Sequence, residues 1–197
     1  MKLDYEALRA SGKKPRVHGN GFLQLDLNDD GTKRLHIFSE DLPRQEVATP
    51  IHDHVFDMRS EVIYGTLIHE ELEPVLAQVT DGTHQIYVAK QLEGTQNTIL
   101  EPLDGNVYLN VVQRLILGTG SIYTFPAWHL HQTEHRSFTA TIMEKVNAPT
   151  SYGRPRVLVP IDQEPDNDFH RDAFDEEFLW SFVNSLCFLV NYDVRRN

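Results

Sequence analysis

The sequence predicts an all-β barrel or sandwich, with a short helix before it and a longer helix after it. Three observations carry this expectation. Short β-like runs, several of them alternating apolar with polar residues, recur from Phe22 to Val146, punctuated by glycines and Asp-Gly pairs (Asp81-Gly82, Gly94, Asp104-Gly105, Gly118). No helical stretch separates them, as βαβ units would require. Near the C-terminus the period changes, and Phe174, Phe178, Phe182, Leu186 and Val190 recur at the spacing of one helix face.

Leu3 to Ala10 reads as the short helix, with Leu3, Ala7 and Leu8 on one side and Ser11-Gly12 at its end. Lys13-Lys14-Pro15-Arg16 is a solvated basic linker. Phe22 to Leu27 and Lys33 to Phe38 alternate around Asn28-Asp29-Asp30-Gly31, a hairpin signature. This acidic turn lacks the bidentate Glu and flanking helices of a calcium loop. Ser39 to Pro50, polar and holding Pro43, is a loop. His52 to Ile68 is one long strand or two shorter ones. Its even positions (His52, His54, Phe56, Met58, Ser60, Val62, Tyr64) share an interior face, and its odd positions, including Asp53, Asp57, Arg59 and Glu61, share a mostly wet one. Gly65 permits a turn or tight bend.

Further strands are expected at 75–79, 83–89, 97–100, 107–112, 114–117, 120–125 and 138–146. Beyond Pro149 the chain, broken by Pro155, Pro160 and Pro165, is expected to be irregular until a helix at about 172–190. Asp175, Glu176 and Glu177 fall in its first turns, where the helix dipole favours acids. Its aromatic stripe should pack against the barrel, with Cys187 as a small inert hydrophobe. One domain over 1–197 is expected, with a barrel core at about 20–148 and a C-terminal extension at 149–197.

The 197 residues are 40% hydrophobic, enough for a full core. A formal net charge of -11 argues against nucleic acid and anionic membrane surfaces, both of which attract basic patches. The single cysteine, Cys187, excludes an internal disulfide and a cysteine zinc cluster. The first residues have no apolar core of the signal-peptide kind. The apolar tract Phe178 to Val190 is interrupted by Ser181, Asn184 and Ser185, so it does not read as a membrane span. The expected location is the cytoplasm.

Ten histidines are many for this length, and five fall within two short segments. The first is Pro50-Ile51-His52-Asp53-His54. Residues i and i+2 of a strand face one way, so both imidazoles can aim at one metal ion. The second is Gly120-Ser-Ile-Tyr-Thr-Phe-Pro126-Ala-Trp128-His129-Leu-His131-Gln-Thr-Glu-His135. Pro126 and the turn it begins would deliver His131 at a strand start as a third ligand. His129 has the same parity and stands as an alternative.

Together the two segments resemble the motifs of the cupin superfamily. His52, His54 and Gly65 fit the shorter spacing of the first motif, while Gly120, Pro126 and His131 fall on the second. Trp128 stands where a second Gly is usual, and His135 where Asn is usual. The resemblance spans roughly Phe22 to Val146 and implies a double-stranded β-helix, the jelly-roll barrel of RmlC-like proteins. The family's glutamate ligand would fall at Met58. Glu61 and Asp57 have the opposite strand parity, and Glu61 would need a β-bulge to become a fourth ligand.

A three-histidine set resembles the cysteine dioxygenase-like thiol dioxygenases, whose Ile-His-Asp-His run matches Ile51 to His54. The resemblance implies one Fe(II), with Zn, Mn or Ni as other divalent candidates, and dioxygen with a small molecule, a thiol among them, as substrates. The alternatives are a non-redox metal-dependent isomerase or lyase, or a non-catalytic small-molecule-binding barrel. The family's Ser-x-His-x-Tyr set is missing from Phe138 to Lys145, and its carboxylate-binding Arg on the early hairpin has no counterpart, with Gln24 near that position. Arg154 and Arg156 are candidates for holding a carboxylate, with surface charge the favoured reading. The expected pocket comprises Phe56, Met58, Ser60, Phe125, Trp128 and His135, with Tyr64 and Tyr123 as hydrogen-bond donors to substrate. A homodimer is expected by analogy.

Overall fold

The computed structural model describes residues 3–43, 50–76, 82–91, 98–147, 153–165, 167 and 174–194. Its architecture is all-β and antiparallel with two helices, consistent with a jelly roll.

Helix α1 (Tyr5–Ala10) is capped by Asp4, whose carboxylate accepts from Ala7 N at 3.2 Å. Leu3 lies outside it and is buried. Strand β1 (Arg16–Val17) pairs with β2 (Phe22–Asp26), which forms the expected hairpin with β3 (Lys33–Phe38). Side chains of the acidic turn hold its own backbone: Asn28 Oδ1 accepts from Lys33 N at 2.9 Å and Asp30 Oδ1 from Thr32 N at 3.0 Å.

The hairpin is a wall with two working faces. Leu23, Leu25, Leu35 and Ile37 point outward into a cluster with Leu179, Trp180, Val183 and Leu186 of α2 (Glu176–Val194). Phe22, Gln24, His36 and Phe38 face an internal cavity. Burying a large aliphatic side chain contributes about 1.5–3 kcal/mol, so this shared apolar surface is what holds α2 outside the sheet.

The other strands are β4 (Ile51–His52), β5 (Asp57–Leu76), β6 (His84–Gln91), β7 (Thr98–Gly118), β8 (Ile122–Phe125), β9 (Leu130–Asn147) and β10 (Arg156–Pro160). Their pairings run β9–β4–β10–β6–β7–β5 and return from β5 to β9, closing a barrel. The long strands β5 and β9 also serve a second layer. Before Gly65, β5 pairs with β8 and the distal half of β9, which carries β3; after it, β5 pairs with β7 and the proximal half of β9. Gly65 makes the bend at φ +82, and Ser137 answers it on β9 at φ 54.

Several boundaries depart from expectation. Gly65 bends β5 without ending it. The segments expected at 97–100, 107–112 and 114–117 are one strand, in which Asp104-Gly105 bulges rather than turns; Asn97 and residues 77–79 lie outside the described residues. β10 was expected to be irregular because Pro155 and Pro160 flank it. Prolines are tolerated at strand ends, and Val157-Leu158-Val159 between them reads as a strand. The buried face of α2 is Leu179, Trp180, Val183, Leu186, Cys187 and Val190, whereas Phe178 of the expected stripe is exposed. Asp175 caps α2, accepting from Phe178 N at 2.7 Å; residues 172–173 lie outside the described set. No helix among the described residues is long and apolar enough to cross a membrane.

Candidate metal centre

His52 ends β4, and its Cα stands directly opposite that of His131 on β9. Opposed residues share one face with Cβ atoms about 5 Å apart, so strand register brings these two rings together. His54 follows the strand, and its carbonyl accepts from Trp128 N at 2.8 Å, which ties it to the turn that leads into β9. One nitrogen from each of His52, His54 and His131 lies within 4.8 Å of the others. Ring centroids are 4.5 Å apart for His52–His131, 4.8 Å for His52–His54 and 5.0 Å for His54–His131. Imidazoles on one ion, with bonds of about 2.1 Å, would hold their centroids about 5 Å apart, so the spacing fits a first-row divalent metal.

The electrostatics fit as well. Burial is the leading cause that lowers the pKa of all three rings, taking His54 and His131 well below the ordinary histidine value. Repulsion between neighbouring rings adds to this at His54 and His131. Each is therefore neutral at pH 7, the form that offers a lone pair. His52 Nδ1 lies 2.9 Å from Pro50 O. A carbonyl can only accept, so Nδ1 carries the proton and Nε2 is left for an ion.

No carboxylate joins this group among the described residues. Asp57 is engaged elsewhere: Oδ1 accepts from Ala127 N at 2.8 Å and Oδ2 from Asn147 Nδ2 at 3.1 Å, pinning the turn before β9. Glu61 stands opposite Ile122 and Ile142, and its carboxylate is not among the converging atoms. Met58 is buried and lines the cavity where the cupin pattern has glutamate.

The triad opens into a cavity of about 130 Å³. That is well below the roughly 300–1,000 Å³ of drug-sized pockets. Phe56, Met58, Ser60 and Tyr123 are among the residues that line it. Burial raises the Tyr123 phenol to about 12 against the opposing hydrogen bond with Ser60, so it is protonated at neutral pH.

Other expected pocket residues are placed differently. Tyr64 packs in the outer cluster against Phe138, because the register shifts around it turn the strand. Phe125 is buried against His131 at 4.4 Å, behind the cavity wall. Trp128 adopts φ 66 and lays its ring over Gly153, away from the cavity. His135 borders an outer recess with Phe38 and Pro50, its Nδ1 2.8 Å from Ser137 O. His129 is exposed on the far side of the turn and does not join the triad.

Asp53, expected on a wet face, is fully buried and paired with Arg156. The chain leaves the strand at Asp53, so strand parity does not govern its side chain. Arg156 is thus a half-buried partner of Asp53, while Arg154 pairs with Glu101 at 2.6 Å.

Three participants were missed. Arg34, on the second hairpin strand, lines the cavity and binds Asp26 at 3.1 Å. Arg16 also binds Asp26, at 3.0 Å, and Gln24, with its amide oxygen turned toward them, accepts from both arginines at 2.9 Å. The cluster holds two cations against one anion. His36 lines the same end, pushed down to about 3 by burial and then by Arg34 and Arg16. His36 shares parity with Phe38, and that alternation was the signal for it. The third is His69, buried behind His131, which the parity reversal after Gly65 turns inward with Leu67.

No protein-family model matches this sequence, and no curated protein does. Among solved structures, the chain is similar to hydroquinone 1,2-dioxygenase PnpCD in complex with Cd2+ and 4-hydroxybenzonitrile, at 16% identity and TM-score 0.31, over 61% of this chain and 61% of that one. It is similar to hydroquinone 1,2-dioxygenase from Sphingomonas sp. TTNP3 with 4-hydroxybenzoate bound, at 12% identity and TM-score 0.35, over 68% of this chain and 65% of that one. It is also similar to Drosophila melanogaster CENP-C bound to CAL1, at 11% identity and TM-score 0.38, over 72% of this chain and 91% of that one. The chain spans less than two thirds of each dioxygenase chain. At these values the function rests on the geometry of the site itself.

Proposed function

We propose that the protein is a cupin-type, mononuclear metal-dependent dioxygenase in which His52, His54 and His131 hold Fe(II) and a small molecule is oxidised. The observation that carries this reading is the convergence of three neutral imidazoles, His131 buried and His52 and His54 half-buried, on a small cavity, with no carboxylate among them in the described residues. Three neutral ligands leave the charge of a divalent ion uncompensated, which favours an anionic sulfur or oxygen donor from the substrate. When bound, Fe(II) would supply open coordination positions and dioxygen chemistry.

The chain's own residues have separate tasks. Pro50 fixes the His52 tautomer. Phe22, Phe38, Phe56 and Met143 exclude water around the site. Arg34, in its net-positive cluster, favours an acidic group at the far end of the cavity. Tyr123 offers a phenolic proton to substrate. A small thiol, the class implied by the resemblance, suits these features, and an acidic one suits them best.

The test is metal analysis of protein purified without added metal, followed by oxygen uptake with a panel of small acidic and neutral thiols. Iron at one equivalent with uptake for an acidic thiol is expected. A folded protein that binds no transition metal would sink the whole reading, and iron-loaded protein inert with every thiol would sink the thiol version.

A further inference from the structure

His69 is 1% exposed, and neither of its ring nitrogens has a hydrogen-bond partner. His131 Nδ1 is likewise sealed and makes no bond of full hydrogen-bond geometry, although the backbone of His129 also faces this ring as an acceptor. Leaving a buried polar atom unpaired is unfavourable, and native interiors rarely tolerate it. Here two such groups occupy adjacent rings. The His69 ring lies 5.4 Å from that of His131, and it is flanked by Tyr123 at 4.9 Å and Phe125 at 5.0 Å. His69 does not line the cavity, whereas His131 does.

We propose that His69 is a positioning residue for the metal centre, accepting a hydrogen bond from His131 Nδ1–H when an ion is bound. This rests on the triad's being a metal site. An ion on His131 Nε2 places the ring proton on Nδ1, which then needs an acceptor. A neutral His69 has one nitrogen free of hydrogen and so can accept. Ring nitrogens lie roughly 1.2 Å from their centroid, so turning two of them toward each other closes 5.4 Å to about 3 Å, hydrogen-bond length. Two unpaired buried nitrogens are a cost to folding, so what His69 contributes is tied to the ion.

Two substitutions separate this role from mere packing. His69→Phe keeps the ring volume but removes the acceptor, and His69→Gln restores an amide oxygen. Titration with Co²⁺, followed by its visible bands, should show affinity falling about tenfold or more in His69→Phe and partly recovering in His69→Gln. The melting temperature of metal-free His69→Phe should equal or exceed that of wild type. In Zn²⁺-loaded wild type, histidine ¹⁵N spectra should show a through-hydrogen-bond coupling between the His69 and His131 rings, a readout that needs no variant. Wild-type Co²⁺ affinity in His69→Phe, or absence of that coupling, overturns the inference while leaving the metal site intact. Failure of wild type itself to bind Co²⁺ overturns the metal reading, and this one with it.

Discussion

Asp53 reaches Arg156 at the start of the neighbouring strand with both carboxylate oxygens: Oδ2 accepts from Nε at 2.6 Å, and Oδ1 accepts from the backbone N at 2.6 Å. The same arginine donates to Trp128 O at 2.8 Å. One ion pair thus braces the link between His52 and His54 against β10 and against the turn before His131. Asp53→Ala should cost about 3 kcal/mol of stability by urea denaturation, the lower end for breaking a buried pair, because Arg156 retains access to water. Metal affinity should fall with it, since both ligands flanking Asp53 lose their anchor. Unchanged urea midpoint and affinity would show that the brace is dispensable.

The ligand assignment separates two histidines that sequence parity leaves equivalent. His131→Ala should remove most bound metal, whereas His129→Ala should leave it near the wild-type level, by metal analysis of the purified variants. The reverse outcome would place the wrong histidine at the centre.

Acid should destabilise the metal-free protein before its carboxylates titrate. His36 and His69 are pushed down to about 3 and about 4, burial being the leading cause in each. In the unfolded chain they titrate near 6.5, so below that pH the unfolded state binds more protons and stability drops. The loss begins near pH 6.5 and continues until each folded-state value is passed, with a slope of up to roughly 1.4 kcal/mol per pH unit for each such histidine. Urea midpoints measured between pH 7 and 4 should fall steadily. His36→Phe should flatten the slope, and a flat profile in wild type would contradict the burial of these rings.

Gly65→Ala should be severely destabilising. At φ +82 an added Cβ would meet Phe138 O at 2.5 Å and Thr139 Oγ1 at 2.6 Å. A melting temperature within a few degrees of wild type would mean that the two layers can separate at this bend without cost.

Much of this architecture can be read from residue order. The hairpin alternation at Phe22–Phe38 depends on local periodicity and emerges in the structure, whereas His52 and His54 converge although the strand ends at His52. What periodicity cannot register is a change of phase. Gly65 inverts the inward face of β5, which moves Tyr64 out of the cavity and His69 toward it. Nor does it register partners far apart in sequence: Asp53 looks solvated until β10 brings Arg156 to it, and β10 itself is disguised by its flanking prolines. A charged residue such as Arg34 in an alternating run reads as outward-facing, whereas here Asp26 and Gln24 hold it at the cavity.

Trp128 occupies a left-handed backbone position that a glycine fills without penalty, and its ring takes the space into which any side chain at residue 153 would grow. The two sites are therefore constrained jointly over evolutionary time. Relatives with a large aromatic at 128 should be restricted to glycine at 153, and those with glycine at 128 should accept bulkier residues there.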